Sequence, residues 1–539
     1  MKYILIVILL IFASCEEPRE KADLIVINAN IYTVDKAFSK ATAIAVRDGK
    51  FLAVDSARII RETYEADLII DAEGKTMVPG LIDAHCHFYG LGLAEQQVNL
   101  NGTKSFAEVL NRVNRYYAEN NPAQILGRGW DQNDWEVKEF PTREKLDSLY
   151  PEIPVVLERV DGHAFLVNQK MLHLAGIDEY TEAIGGEIIK DSGIPTGVLI
   201  DGPQNMVTAA LPKPDLQTRI RALKNAERIC FNNGLTTVND AGLSWEVVSL
   251  IDSLQRVGEL TIRVYAMISA NRENLDLYLP RGPIKTDKLN VRSVKVYADG
   301  ALGSRGAALK EPYSDLAAHY GAMVTPVQDI ETLAMRIVDS EFQMNTHAIG
   351  DSANSVVLKA YQKALQGTDD RRWKIEHAQV IDPNDFDYFT NGIIPSVQPT
   401  HATSDMYWAE DRLGEERIKG AYAFKTLLDR AGMLALGTDF PVEAVNPFYT
   451  FYAAVARKDL NNYPEEGFEV QEALSREDAL KGMTIWAAYS NFEEMEKGSI
   501  EVGKMADFVI LNKDLMKIPE EELPTLKAEH VVLGGRIAE

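Results

Sequence analysis

Cysteine is scarce, at 3 in 539 residues. Apart from Cys15 near the N-terminus, only Cys86 and Cys230 remain. Two thiols make no disulfide scaffold, so stability must come from packing. A surplus of basic charge is also missing: Lys and Arg number 56 against 80 Asp and Glu, for a net charge of −24. With no basic stripe to neutralise phosphates, nucleic-acid binding is disfavoured. The substrate's charge stays open, because the local field of a site can oppose the overall charge. Internal repeats and low-complexity segments are absent. Long apolar runs are missing too, except for residues 3–12 in MKYILIVILLIFASC. That run is too short to span a bilayer and has the shape of a secretory signal.

Small residues immediately before Cys15 are similar to a bacterial lipoprotein signal. The expectation is a signal over 1–15, lipidation of Cys15, and a charged tether over 16–21 (EEPREK). The chain would then sit in the cell envelope on a lipid anchor, facing the periplasm or the surface. A plain cleaved signal and an uncleaved anchor are the alternatives. The remaining composition, 46% apolar and 25% charged, is that of a folded globular chain long enough for a large core and accessory parts.

Short alternating or apolar runs fill 22–77, as in LIVINANIYTVD and TAIAVRDGKFLAV, and similar runs return over 491–539 in GSIEVGKMADFVILN and HVVLGGRIA. Two β segments bracketing the chain predict one small β-sandwich built from both termini. Between them, over 78–490, strand-like runs alternate with amphipathic stretches. The strands are expected at 78–87, 235–242, 261–269, 291–300, 342–351, 374–380, 393–399 and 434–442. Alternating units in that number predict an α/β fold of the (β/α)8 TIM-barrel type. About 145 residues separate His87 from Leu235, far more than one helix needs. An α/β subdomain inserted over about 100–230 and covering the barrel mouth is the expectation.

Polar residues recur at the ends of the barrel strands, where such barrels keep their chemistry. His85 and His87 close the first strand and, two apart, project to one side, where they can share a metal. Cys86 points the other way and reads as a buried structural thiol. Lys295 lies late in strand four, His347 in five, His377 in six and Asp439 in eight. Nitrogen and carboxylate donors without thiolates favour zinc, with iron, manganese or nickel as alternatives. Lys295 is the odd member, since a buried bare ammonium is costly. Its uncharged amine can take up carbon dioxide and become an anionic carbamate that bridges two cations. A salt bridge to Asp299 or Asp439, or a contact to a substrate carboxylate, would serve as well.

Together VPGLIDAHCH, VKVYADGALGSRGA, THAIGD, IEHA and GTDFPV resemble the amidohydrolase superfamily, in the branch containing N-substituted formamide deformylases. The resemblance spans essentially the mature chain. It implies two divalent metals held by His85, His87, a carbamylated Lys295, His347, His377 and Asp439. It also implies hydrolysis of a non-peptide amide or formamide-like C–N bond by a metal-activated hydroxide, with Asp439 as general base and then acid. Trp130, Asp131, His163 and Asn168 in the insertion, with Asp299 and Arg305 after strand four, are the candidate substrate contacts. His163 leads them as a hydrogen-bond donor. Trp130 and Trp135 also read as core or pocket wall, and His173, His319 and His530 as structural or surface residues. The partners expected are a small amide-type substrate and a membrane, with the chain monomeric or homodimeric. A one-metal deaminase of the same superfamily would place a glutamate shortly after His347, where AIGD offers only Asp351. A non-catalytic envelope binding lipoprotein should have lost ligands, and none is missing.

Overall fold

The computed structural model describes residues 19–368 and 370–538. The expected signal, Cys15 and the start of the tether lie outside them. Eight parallel strands form the central sheet in consecutive order: β1 (Leu81–Cys86), β2 (Leu235–Leu243), β3 (Arg263–Ser269), β4 (Leu289–Tyr297), β5 (Gln343–Ala348), β6 (Lys374–His377), β7 (Ile394–Val397) and β8 (Ala435–Leu436). Every residue of β1, β5, β6 and β7 is buried, as strands covered on both faces require. The last strand returns to the first: Asp439 N donates to His85 O at 2.7 Å and His87 N to Phe440 O at 2.8 Å. Gly437 permits that approach, since a Cβ there would lie 2.5 Å from His85 N. The molecule is a (β/α)8 barrel.

Strand parity decides which residues meet inside. In β4, Val294, Val296 and the following Ala298 join Ile330, Ala334 and Ile337 of the helix Val327–Val338 in the core outside the barrel. Ser293, Lys295 and Tyr297 alternate with them.

A sandwich formed by both termini packs against the barrel. One sheet comprises Glu20–Ile27, Ala43–Arg47, Lys50–Asp55 and Tyr64–Asp71. The other joins Asn30–Tyr32, Lys40–Ala41 and Thr76–Pro79 to Phe508–Leu511, Ala528–Leu533 and Arg536–Ile537. Leu24, Val26 and Ile44 of the first sheet share a core with Ile31, Met77, Phe508 and Ile510 of the second. The first strand starts at Glu20, which shortens the expected tether. Arg263, opening β3, grips Asp507 through two nitrogens at 2.6 and 2.8 Å and fastens the barrel base to the sandwich.

The inserted subdomain is a six-stranded mixed sheet running from Val98–Asn99 to Ile194–Asp201, with its own hydrophobic clusters. It ends before the expected boundary near 230. The helix Leu216–Asn232 packs Leu223, Ala226, Cys230 and Phe231 against Phe88 and Leu91, and so belongs to the barrel's outer layer.

Candidate metal centre

Four histidines point into the barrel mouth, and the hydrogen bonds behind them fix which nitrogen faces inward. His85 Nδ1 lies 2.6 Å from Glu376 Oε2, His87 Nδ1 3.0 Å from Ala241 O, and His377 Nδ1 2.7 Å from Gln398 Oε1. In each case a fixed acceptor holds the Nδ1 proton and leaves the Nε2 lone pair free, the arrangement of a metal-binding imidazole with its outer partner. His347 is turned over: Nε2 faces Gly300 O at 3.4 Å and Asp299 Oδ1 at 3.7 Å. The rings crowd together, with centroids 4.8 Å apart for His85 and His377 and 4.5 Å for His347 and His377. Burial, reinforced by neighbouring cationic groups, holds His85 below the ordinary histidine range and His347 and His377 well below it. All three are neutral at pH 7 and able to donate a lone pair.

Asp439 completes the cluster. Its Oδ1 is 3.2 Å from His87 Nε2 and 3.6 Å from His85 Nε2, yet it is buried with no hydrogen bond of good geometry among the described residues. Donor atoms of His85, His377 and Asp439 lie within 4.8 Å of one another. Ring nitrogens converging on an unsatisfied carboxylate oxygen fit a divalent cation. Burial pushes the Asp439 carboxyl up, but the approach of His401 and His87 reverses this and holds it well below the carboxylate range. Its backbone sits in the left-handed region at φ 61°, as does His377 at 73°. Such strain persists where the surroundings over-determine it, commonly at functional sites. Asp83 supplies part of that frame by accepting His85 N, Thr438 N and the Thr438 hydroxyl.

Lys295 is fully buried, with Nζ 3.0 Å from His85 Nε2 and 4.9 Å from the Tyr297 ring centroid. No carboxylate oxygen lies within 4.0 Å of it among the described residues, so the salt bridge to Asp299 or Asp439 is not formed. Burial draws its amine down to about 8.

A cavity of about 410 Å³ opens over the cluster, lined in part by His347, His377, Asp439, His401, His163 and Asp131. His163 is anchored by Asp201 (Nδ1 to Oδ1, 2.6 Å), and its ring lies 5.0 Å from that of His347. Asp131 is paired with the buried Arg159. Four other candidate contacts lie elsewhere. Trp130 is in the insertion's core beside Trp135 and donates its indole N–H to Leu157 O. Asn168 is the N-cap of the helix Gln169–Ala175 and also ties down Val155, Tyr150 and Ile153. Arg305 turns to Asp315. Asp299 accepts the backbone N–H groups of Ala308, Ile349 and Gly350, with Oδ1 3.7 Å from His347 Nε2.

Sequence reasoning passed over Glu376, Gln398 and His401. The first two orient ligands. His401 sits between two carboxylates, with Nε2 3.4 Å from Asp439 Oδ2 and Nδ1 3.0 Å from Glu443 Oε1. These outweigh its burial and raise it well above the ordinary histidine value. Glu376 carried a signal: it directly precedes His377 in IEHA and is an acid in the interior of a buried strand. His401 had none beyond its residue type.

Residues 68–538 match the sequence profile of the amidohydrolase family. Protein LONG AFTER FAR-RED 3 of Arabidopsis thaliana is 35% identical over 91% of this chain and 87% of its own length. N-substituted formamide deformylase of Arthrobacter pascens is 27% identical over 95% and 97%. Among solved structures, an uncharacterized metal-dependent hydrolase from Pyrococcus horikoshii OT3 superposes with a TM-score of 0.75 at 27% identity, covering 92% of this chain and 99% of that one. With this profile over most of its length and a candidate metal-binding group in the barrel mouth, the chain belongs to the amidohydrolase family.

Proposed function

We propose that the protein hydrolyses an amide- or formamide-type C–N bond outside the peptide backbone, using two divalent cations, zinc by the donor set. His85, His87 and Asp439 would hold one, and His347 and His377 the other. Lys295, as its carbamate, would lie between them. Bound there, such cations supply a nucleophilic water at neutral pH and polarise the substrate carbonyl. Asp439 takes the proton of the attacking water and returns it to the leaving amine. His401 holds Oδ2 of that carboxylate, which leaves Oδ1 for this work. The buried amine of Lys295 supports the carbamate, because an uncharged nitrogen adds to carbon dioxide with release of one proton.

The reading rests above all on one observation: Asp439 Oδ1, buried without a hydrogen bond among converging imidazoles. Similarity to the formamide deformylase supports the bond class. Deamination is less well supported, because Asp351 accepts Lys310 N and does not line the cavity. The test is a panel of N-acyl and N-formyl amines given to the zinc-loaded chain lacking residues 1–15, with amine release followed by mass spectrometry. Release that is abolished by chelation and restored by zinc supports the reading. Ammonia release from aminopurines with no amide turnover contradicts it. On the leader alone we also propose a lipid anchor at Cys15. Labelled palmitate should enter the wild type and not Cys15→Ala.

A further inference from the structure

A second cavity reaches the centre from its other side. The first exposes His347, His377 and Asp439. The second, about 470 Å³, is lined among others by His87, Tyr297, Arg128, Gln204 and Asn205. His163, Asp161 and Pro441 belong to both walls and so form the partition. The partition is held firmly: Asp201 anchors His163, and Asp161 pairs with the buried Arg159. Arg128 and Gln204 add polar side chains to the wall of the second cavity.

A formamide has only hydrogen on its acyl side and needs room on one side of the bond. This centre is open on two. We infer that the substrate carries a substantial substituent on each side of the scissile C–N bond, one per cavity. The bond itself lies at the His163 partition. The inference rests on the hydrolytic reading above and narrows it from N-formyl to larger N-acyl amines. Hydrolysis consumes one water, breaks the C–N bond, and leaves a carboxylic acid in one cavity and an amine in the other.

Calorimetric binding to zinc-loaded Asp439→Asn, which should not turn over, tests this without relying on activity. The probes are N-formylbutylamine, N-pentanoylbutylamine and N-pentanoylmethylamine. The pentanoyl butylamide should bind at least ten-fold more tightly than either truncated probe. Two cavity-filling changes follow in the same background: Asn205→Trp at the exposed rim of the second cavity and Val442→Trp in the first. Each should weaken binding ten-fold through a different substituent, acyl for one and amine for the other. Either truncated probe binding as tightly as the pentanoyl butylamide, no binding by any probe, or both tryptophans penalising the same substituent would overturn the inference. Wild-type turnover of the same panel separates the two proposals. The binding pattern without any hydrolysis sinks only the reaction, and hydrolysis without the pattern sinks only the two-cavity inference.

Discussion

Two lysines are buried inside one barrel, and burial draws both amines down to about 8. Lys374 opens β6 at the closed end. Its Nζ lies 3.0 Å from Asn491 Oδ1 and 5.1 Å from the Tyr265 ring centroid, in a layer where Asn239 bonds Asn491 and Gln343 bonds Ser490. Lys295, near the mouth, has His85 Nε2 as its polar neighbour, and that nitrogen is itself a lone pair facing Asp439. At the closed end, neutral amide and hydroxyl groups surround the amine. At the mouth, the polar neighbour of the lysine is a ring nitrogen, and Asp439 Oδ1 beside that ring is buried without a hydrogen bond of good geometry among the described residues. Burial alone therefore does not distinguish the two lysines; their neighbours do.

The comparison can be broken first at the mouth. Asp439→Asn removes the proton acceptor and an anionic donor, and turnover should fall by at least about a thousand-fold in steady-state kinetics. A loss below ten-fold would return Asp439 to a structural role. Glu376→Gln loosens His85 without touching the metal donors directly, so metal affinity should weaken by roughly 10–100-fold in a chelator competition.

The closed end should answer to acid instead. Glu493, buried between Lys285 and Lys497, is held down at about 2 against 4.5 for a free carboxyl. Its folded value is the lower one, so its contribution is complete above about pH 4.5 and is lost as pH falls towards 2. It amounts to ~3 kcal/mol at about 1.4 kcal/mol per pH unit. Denaturant titrations of Glu493→Gln between pH 5 and 2 should show a correspondingly flatter loss, with metal content unchanged. The smallest effect belongs to Lys374→Met. Asn491 Oδ1 still accepts from Asn239 at 2.9 Å, so metal content and turnover should stay within about two-fold of wild type.

All eight barrel strands are legible as apolar runs, and the period of two puts His85 and His87 on one side of β1 and Lys295 opposite Val294 and Val296 in β4. Which ligand each orienting partner serves was not legible: Glu376 stands out as an acid in a buried strand, but its partner His85 lies 291 positions away in sequence. Asn168 illustrates the opposite error. A side chain read as a substrate contact is a helix cap, and the helical stretch QKMLHLA that follows it was the local clue. Trp130 is a candidate substrate contact that also reads as core or pocket wall, and the core reading holds: its N–H finds a carbonyl inside the insertion.

The central claim is that Lys295 is a bridge between two cations. Metal counting by mass spectrometry on the purified chain lacking residues 1–15, beside Lys295→Ala, tests it most directly. The account predicts close to two zinc ions per chain, falling to one or fewer in the variant. A single metal in both proteins, or none in either, would contradict it.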